Sequence, residues 1–383
     1  MDVYLLISAL FSVGYALLLI RFLAGWFRLK NPKPLTSDAL PGVTIILPVR
    51  NEELHISSCI ESLLQQDYPR HLMEIIVLND YSTDDTLYKL RELESRGILV
   101  LDLKNYLGEA GEKTPNKKKA IALGVKNATY DILLTTDGDT TRSPLWLKTM
   151  VSAFCTGKYK LATAPVLIRS GWNPLSWFQQ ADQLNMTAIT ASGIALNSPV
   201  MCNGANLIYT RQAFQEVQGF RGNEDVPGGD DYFLMEKLHR QFPGSIGYIK
   251  STDAVVITEP AIGLFSFFEQ RTRWVSKLSN HVFNRAKMIL GFAWLFNLYI
   301  LVVAIMAFRN EPFAWLPLAV VLSVKLFFDF VFNVAIMQFF RQWMLLPLFP
   351  VIELFHIIYV FLTGLSATGG KYRWKGRNIN RSH

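Results

Sequence analysis

This 383-residue chain is short of charge: 18% of its residues are Asp, Glu, Lys or Arg, while 50% are hydrophobic. Soluble domains carry about 25% charged residues, and the mean hydropathy of +0.21 points to membrane association. Cysteine is also scarce. Cys59, Cys155 and Cys202 show no metal-ligand spacing, and so few cysteines suggest a reducing compartment and no disulfide framework. No Gly-x-Gly-x-x-Gly turn and no Gly-x-x-x-x-Gly-Lys-Ser loop occurs, which argues against a nicotinamide cofactor and P-loop chemistry. Phosphates must then be held by metal and basic side chains. The net charge is +7, yet no basic helix or aromatic-basic motif of the nucleic-acid-binding kind is found. The basic residues flank apolar runs, so the expected partner is a cytoplasmic membrane face and not nucleic acid.

Long apolar runs are plentiful. Val3 to Leu23 is almost wholly apolar, and about 20 helical residues span one bilayer core. Arg21, Arg28, Lys30 and Lys33 follow it, while only Asp2 precedes it, so the positive-inside rule puts the next domain in the cytoplasm. A signal peptide is disfavoured, because the basic residues come after the run and no small-residue cleavage site is evident. Met288 to Phe308, Pro312 to Phe340 and Leu345 to Thr368 are three further candidate spans. Lys325 and Asp329 in the second are spaced to pair on a helix, and Glu353 and His356 lie in the third. Three spans after a cytoplasmic domain put the tail outside, but the five cations of KYRWKGRNINR argue for inside. One segment is therefore expected to lie in the interface or to re-enter.

Between these runs, short apolar strands alternate with helical periodicity. After a Pro-rich linker (31–41), Val43 to Val49 reads as a strand and Asn51 to Gln66 as a helix. Ile75 to Leu78 is the next strand and Thr86 to Arg96 the next helix, stopped by Gly97. Ile98 to Leu103, a basic helix from Lys117 to Val125, and Asp131 to Thr135 complete the pattern. Such alternation predicts an α/β fold with a mostly parallel sheet. Ligands bind off the carboxyl ends of such strands. Pro48 to Glu52, Asp80 to Asp84 and Asp137 to Asp139 all fall at those ends. Asp137 and Asp139 flank Gly138 in YDILLTTDGDTT. Residues two apart in extended chain point the same way, so the two carboxylates repel unless a hard divalent cation, shared with substrate phosphates, neutralises them. A surface Asp-Gly turn is the plain alternative, and the convergence of three acidic loops at one edge weighs against it.

VTIILPVRNEE, SLLQQDYPRHLMEIIVLNDYSTDDT and LLTTDGDT together resemble the inverting family 2 glycosyltransferases, whose fold is GT-A, Rossmann-like. GGDDYFLMEKL is similar to that family's Glu-Asp motif region. QRTRW, Gln270 to Trp274, matches the Gln-x-x-Arg-Trp signature of its membrane-bound members. The resemblance covers about residues 42–275. Taken with the apolar runs and the tail charge, it divides the chain into an expected N-terminal transmembrane helix (1–28), a GT-A catalytic domain (42–260), interfacial helices with the Gln-x-x-Arg-Trp motif (261–285), a C-terminal transmembrane region (286–368) and a basic tail (369–383).

The resemblance also implies roles. Pro48, Arg50 and Glu52 line the nucleotide pocket, and Asp80 bonds the uracil. Asn79 stands where the family often has a second Asp. Lys119 aligns as the phosphate-side lysine, without the Gly that usually precedes it. Asp139 ligates Mg2+ or Mn2+, and Asp137 contacts the ribose or a metal-bound water. Asp231 is the base that takes the acceptor's proton, with Asp230 beside it in place of the usual Glu; Glu224 and Asp225 are nearby competitors. Asn203, Gly204 and Asn206 form the acceptor-side loop. Gln270, Arg273 and Trp274 lie on an interfacial amphipathic helix, Arg273 facing the diphosphate and Trp274 the acceptor. The expected activity is transfer of one sugar from a UDP-sugar to a lipid-type acceptor, as in ceramide- and carotenoid-type transferases. A processive polysaccharide synthase is the first alternative, since cellulose, hyaluronan and poly-N-acetylglucosamine synthases share Gln-x-x-Arg-Trp. A non-catalytic membrane scaffold is the second.

Overall fold

A computed structural model describes residues 2–31, 40–114, 116–224, 226–276, 285–309, 311, 313–366, 371–375 and 377–380. Its strands are β1 (Val43–Val49), β2 (Met73–Asn79), β3 (Leu99–Asp102), β4 (Ile132–Thr135), β5 (Thr140–Arg142), β6 (Leu161–Thr163), β7 (Val166–Ile168), β8 (Leu207–Thr210), β9 (Ile246–Tyr248), β10 (Val256–Thr258), β11 (Lys371–Trp374) and β12 (Arg377–Asn380). Its helices are α1 (Asp2–Arg28), α2 (Ile56–Leu64), α3 (Thr86–Leu93), α4 (Lys104–Leu107), α5 (Lys117–Asn127), α6 (Trp146–Gly157), α7 (Pro174–Ala195), α8 (Arg211–Glu216), α9 (Asp230–Gln241), α10 (Leu264–Ser276), α11 (Arg285–Phe308), α12 (Trp315–Phe340) and α13 (Phe349–Ser366). The chain forms two compact units. One holds residues 29–169, 194–260 and 373–383; the other holds 1–28, 170–193 and 261–372.

The first unit is built on a seven-stranded sheet of order β3-β2-β1-β4-β8-β6-β9. All neighbours are parallel except β8, which runs against both β4 and β6. β1 is buried along its whole length, as expected of a strand covered on both faces. Pro48 sits in this central strand without breaking it, because the ladder to β4 covers only Val43 to Ile46. Asn51 to His55 stay outside α2. Asn51 takes a left-handed φ of 50° and is tied to the loop after β2 instead of starting a helical turn.

Register positions the functional edge. Val49 is opposite Asn79, so the loops after β1 and β2 leave the sheet together. Ile46 is opposite Thr135, so the Asp137 to Asp139 loop leaves beside them. Because β8 is antiparallel, its first residue, Leu207, pairs with the last of β4, Thr135. That reversal carries Asn203 to Asn206 to the same edge.

The second unit gathers α1, most of α7, and α10 to α13. Among the described residues, four segments are long and apolar enough to cross a membrane: 3–28, 286–308, 315–340 and 343–366. The α1 ring of Tyr15 lies 4.5 Å from Phe296 of α11, and Trp26 meets Phe339 of α12 edge-on at 5.4 Å. In α12, Lys325 pairs with Asp329 at 2.6 Å and with Glu353 of α13 at 3.2 Å, so these charges face protein, as their cost in lipid requires. The contiguous 42–260 domain expected from sequence is interrupted. Residues 170–193 join the helical unit, where Phe178 of α7 packs on Phe267 and Tyr359. Residues 373–383 join the sheet unit.

Candidate active site at the sheet edge

Arg50, first after β1, is buried and its Nη1 donates to the carbonyls of Asp80 and Tyr81, both at 2.7 Å. The Asn51 amide donates to Ser82 Oγ at 3.0 Å, and the Thr83 amide donates back to Asn51 Oδ1 at 2.8 Å. The Glu52 amide donates to Thr86 Oγ1 at 2.7 Å. These bonds lock the loops after β1 and β2 into one wall. Asn79 Nδ2 donates to Asp102 at 3.1 Å. An Asp at position 79 would face that carboxylate with no proton to give, which accounts for the Asn.

The acidic side chains open from this wall. Asp80 is buried and accepts from Asn116 Nδ2 at 3.0 Å and from both Nη atoms of Arg377, at 2.9 and 2.8 Å. Glu52 pairs with Lys375. Burial pushes the Glu52 carboxyl up to about 7; Lys375 opposes the shift, while Asp139 and Asp137 add to it. Burial also raises Asp139, and Asp137 raises it further. Gly138 is required between them. A Cβ there would lie 2.8 Å from Val49 Cγ1 and 3.1 Å from Glu52 Cγ. Beneath the loop, buried Arg142 donates through Nη2 to the Thr140 carbonyl at 3.0 Å and Oγ1 at 2.5 Å, and Thr140 Oγ1 bonds the Asp137 carbonyl at 2.6 Å.

Lys117, at the start of α5, joins two loops. Its Nζ lies 2.8 Å from Asp137 Oδ1 and 3.5 Å from Asp230 Oδ2. Burial alone would lower the ammonium, but the carboxylates Asp137 and Asp230 outweigh it and raise it. Asp230 and Asp231 open α9 behind Gly229, the N-cap, which takes a left-handed φ of 69°. Neither aspartate caps the helix. Both sit in its first turn, where the helix dipole stabilises negative charge. Asp231 Oδ2 accepts from the Gly204 amide at 2.9 Å and Oδ1 from the Tyr232 amide at 2.8 Å. Gly204 is hemmed in: a Cβ would stand 3.1 Å from Asp230 Oδ2 and 3.6 Å from Lys117 Nζ.

The chemistry of Asp137 and Asp139 suits a hard divalent cation, which would offset the repulsion that lifts Asp139. Among the described residues no group of three or more His, Cys, Asp or Glu is arranged to hold a metal. An ion here therefore needs oxygen from a ligand, as Mg2+ does when one or two carboxylates share it with phosphates.

The glycosyl transferase family 2 model matches residues 44–218, and the glycosyl transferase family group 2 model matches residues 132–365, more than half of the chain. The chain belongs to glycosyl transferase family group 2. Curated relatives of this family member include a dolichyl N-acetyl-alpha-D-glucosaminyl phosphate 3-beta-D-2,3-diacetamido-2,3-dideoxy-beta-D-glucuronosyltransferase of Methanococcus voltae, 34% identical over 24% of this chain and 27% of that protein. A poly-beta-1,6-N-acetyl-D-glucosamine synthase of Staphylococcus aureus is 32% identical over 29% of this chain and 25% of that protein. The family member spans at most about half the length of the curated relatives it matches, 54% in the fullest of three. Among solved structures, a mannosyltransferase from Pyrobaculum calidifontis in complex with GDP-Man and Mn2+ aligns over 94% of this chain and 99% of its own, with a TM-score of 0.61 and 18% identity. At that identity the likeness is one of fold, and it agrees with the GT-A-like sheet.

In this family member the structure brings Pro48, Arg50, Glu52, Asp80, Asp137, Asp139, Asp230, Asp231, Asn203 and Gly204 together in one unit, at the carboxyl edge of one sheet. Two side chains change the expected picture. Lys117 lies between Asp137 and Asp230, which makes it a candidate for the phosphate-side lysine beside Lys119; successive residues of a helix point about 100° apart, and Lys118 instead donates to the carbonyls of Asn223 and Val226. Asn206 does not face an acceptor. It is fully buried, accepts from Trp146 Nε1 at 3.0 Å, and donates to the carbonyls of Pro165 and Ala254 at 2.8 and 2.7 Å, so it braces the loop. Asp225 lies outside the described residues. Gln270, Arg273 and Trp274 belong to the helical unit, on α10. There the buried neighbour Arg271 pairs with Asp182 of α7 at 2.7 Å and lies 4.1 Å over the Trp274 ring. Asn116, Arg142 and Asp182 carry no signal in the sequence. Lys117 is marked there by the basic start of its helix, and the two tail cations by a charge pattern that speaks to topology.

Proposed function

We propose that this family member is an inverting hexosyltransferase that moves one sugar from a UDP-sugar to a lipid-type acceptor at the cytoplasmic face of a membrane. The observation that carries the proposal is the gathering of a base-edge carboxylate (Asp80), paired carboxylates (Asp137, Asp139) and a helix-borne carboxylate (Asp231) around Lys117 and Gly204. Asp80 accepts N–H groups of the base, and Lys117 answers phosphate charge. Asp139 and Asp137 would hold Mg2+ or Mn2+, which neutralises charge developing on the departing diphosphate. In the reaction the acceptor oxygen forms its bond to the anomeric carbon, the bond to the diphosphate breaks with the electron pair leaving on UDP, and the hydroxyl proton passes to Asp231. Two backbone amides, of Gly204 and Tyr232, hold Asp231 oriented for that transfer.

The four apolar helices and the name of the M. voltae relative support a lipid-linked acceptor. The S. aureus relative favours the second reading, a processive synthase, and product length separates the two. The pairing of tail residue Arg377 with Asp80 supports a tail on the same side of the membrane as the sheet, and with it an even number of crossings among the three C-terminal helices, in keeping with the tail's positive charge. The test is nucleoside diphosphate release by the purified chain with Mn2+ over a panel of UDP- and GDP-sugars. Release from a UDP-sugar, lost in Asp231→Asn, supports the proposal; turnover unchanged in that variant removes Asp231 as the base.

A further inference from the structure

We propose that the C-terminal tail is a built-in competitor of the donor, with Arg377 and Lys375 occupying Asp80 and Glu52, the carboxylates assigned to the nucleotide pocket. This rests on the donor-site reading above. Arg377 is 6% exposed. Its guanidinium takes both oxygens of Asp80, at 2.8 and 2.9 Å, and its Nε donates to the Glu112 carbonyl at 2.6 Å. The planar fork matches a carboxylate bidentately, and Asn116 takes a further position on Oδ1. An incoming base edge finds no free oxygen on Asp80 while Arg377 is in place.

Lys375 acts at the other end. It pairs with Glu52 and its carbonyl accepts from Arg50 Nε at 3.2 Å. Its charge also reaches Asp139. Of the cations in the cluster, Arg50 is committed to backbone carbonyls, Arg142 to Thr140, and Lys117 to Asp137 and Asp230. The two tail cations are therefore the charged partners of Asp80 and Glu52. Binding the base at Asp80 means displacing Arg377, so the apparent donor affinity is the intrinsic one reduced by the fraction of chains with the tail withdrawn.

The experiment uses the full chain in detergent, native and as Arg377→Ala with Lys375→Ala. Two quantities are read: the Kd for UDP with Mn2+ by calorimetry, and hydrogen–deuterium exchange of the tail. With the tail docked about nine-tenths of the time, the double variant binds UDP about tenfold more tightly. Tail exchange rises in the variant, and it rises in the native chain when UDP and Mn2+ are added. Weaker UDP binding in the variant overturns the proposal by making the tail part of the donor site. Unchanged binding, or tail exchange that responds to neither the substitutions nor UDP, overturns it as well. If the substitutions free the tail but no chain binds UDP or GDP, it is the donor-site reading that has failed, and the competition falls with it.

Discussion

Gly138→Ala is the sharpest probe of how the Asp137–Asp139 loop is built. The backbone at Gly138 needs no positive φ, so alanine meets no conformational barrier and the whole effect is steric. Its Cβ would stand 2.8 Å from Val49 Cγ1, against an ordinary contact of at least 3.4 Å, a shortfall of 0.6 Å (3.4 − 2.8). Val49 cannot give way: it is the last residue of β1, buried and paired opposite Asn79. The acidic loop must move instead. Overpacking of this kind costs about 1–3 kcal/mol, or several degrees of Tm for a unit this size. A misplacement of about 1 Å costs about a hundredfold in rate, so a shift of half that predicts roughly a tenfold loss of kcat/KM. The assay is sugar transfer with Mn2+, alongside thermal unfolding in detergent. Val49→Ala removes the clashing methyl, and the double variant Val49→Ala/Gly138→Ala should recover most of the activity that Gly138→Ala loses. Native activity in Gly138→Ala, or no recovery in the double variant, refutes the steric reasoning.

Glu52→Gln tests the burial of the site's acid. The Glu52 carboxyl lies near 7, not its ordinary 4.5, so the folded chain keeps a proton that the unfolded chain has lost. Stability therefore falls as pH rises from about 4.5 to about 7, by a cumulative 3 kcal/mol or so at about 1.4 kcal/mol per unit. Glu52→Gln should be the more stable chain at pH 8 and equal to the native chain below pH 4.5; equal destabilisation at both pH values contradicts this. Lys117→Met should lower kcat/KM about a hundredfold, a loss of about 3 kcal/mol of transition-state binding, while Lys119→Met stays near native; the reverse order in steady-state assays restores Lys119. Asn206→Ala strands buried groups of Trp146, Pro165 and Ala254 and should cost about 2–4 kcal/mol of stability with the acceptor KM unchanged; a raised KM at native Tm returns Asn206 to the acceptor side.

Much of the edge was legible because it depends on local signals. β1, β2 and β4 are short apolar runs ended by polar loops, and parallel pairing puts their carboxyl ends together. Asp80, Asp137 and Asp139 follow from that alone. What escaped depends on direction or on distance along the chain. Spacing does not tell which of Lys117, Lys118 and Lys119 faces the carboxylates, since a small rotation of α5 decides it. Asn206 reads as a polar loop residue until β8 is known to run backwards, which turns its amide into the core. Arg377 reaches Asp80 across 297 residues of sequence, and no local pattern announces such a pair. α7 lies within the stretch assigned to the sheet domain, yet it joins the helical unit, where Phe178 packs on Phe267 and Tyr359 and Asp182 meets Arg271.

The most direct test of the central claim, that this edge holds a donor diphosphate through a divalent cation, is Mn2+ binding by electron paramagnetic resonance with and without UDP. Because the described residues add no third ligand group to Asp137 and Asp139, Mn2+ should bind weakly alone, tightly with UDP, and not in Asp139→Asn under either condition. Mn2+ bound equally well without UDP, or undiminished in Asp139→Asn, would contradict it.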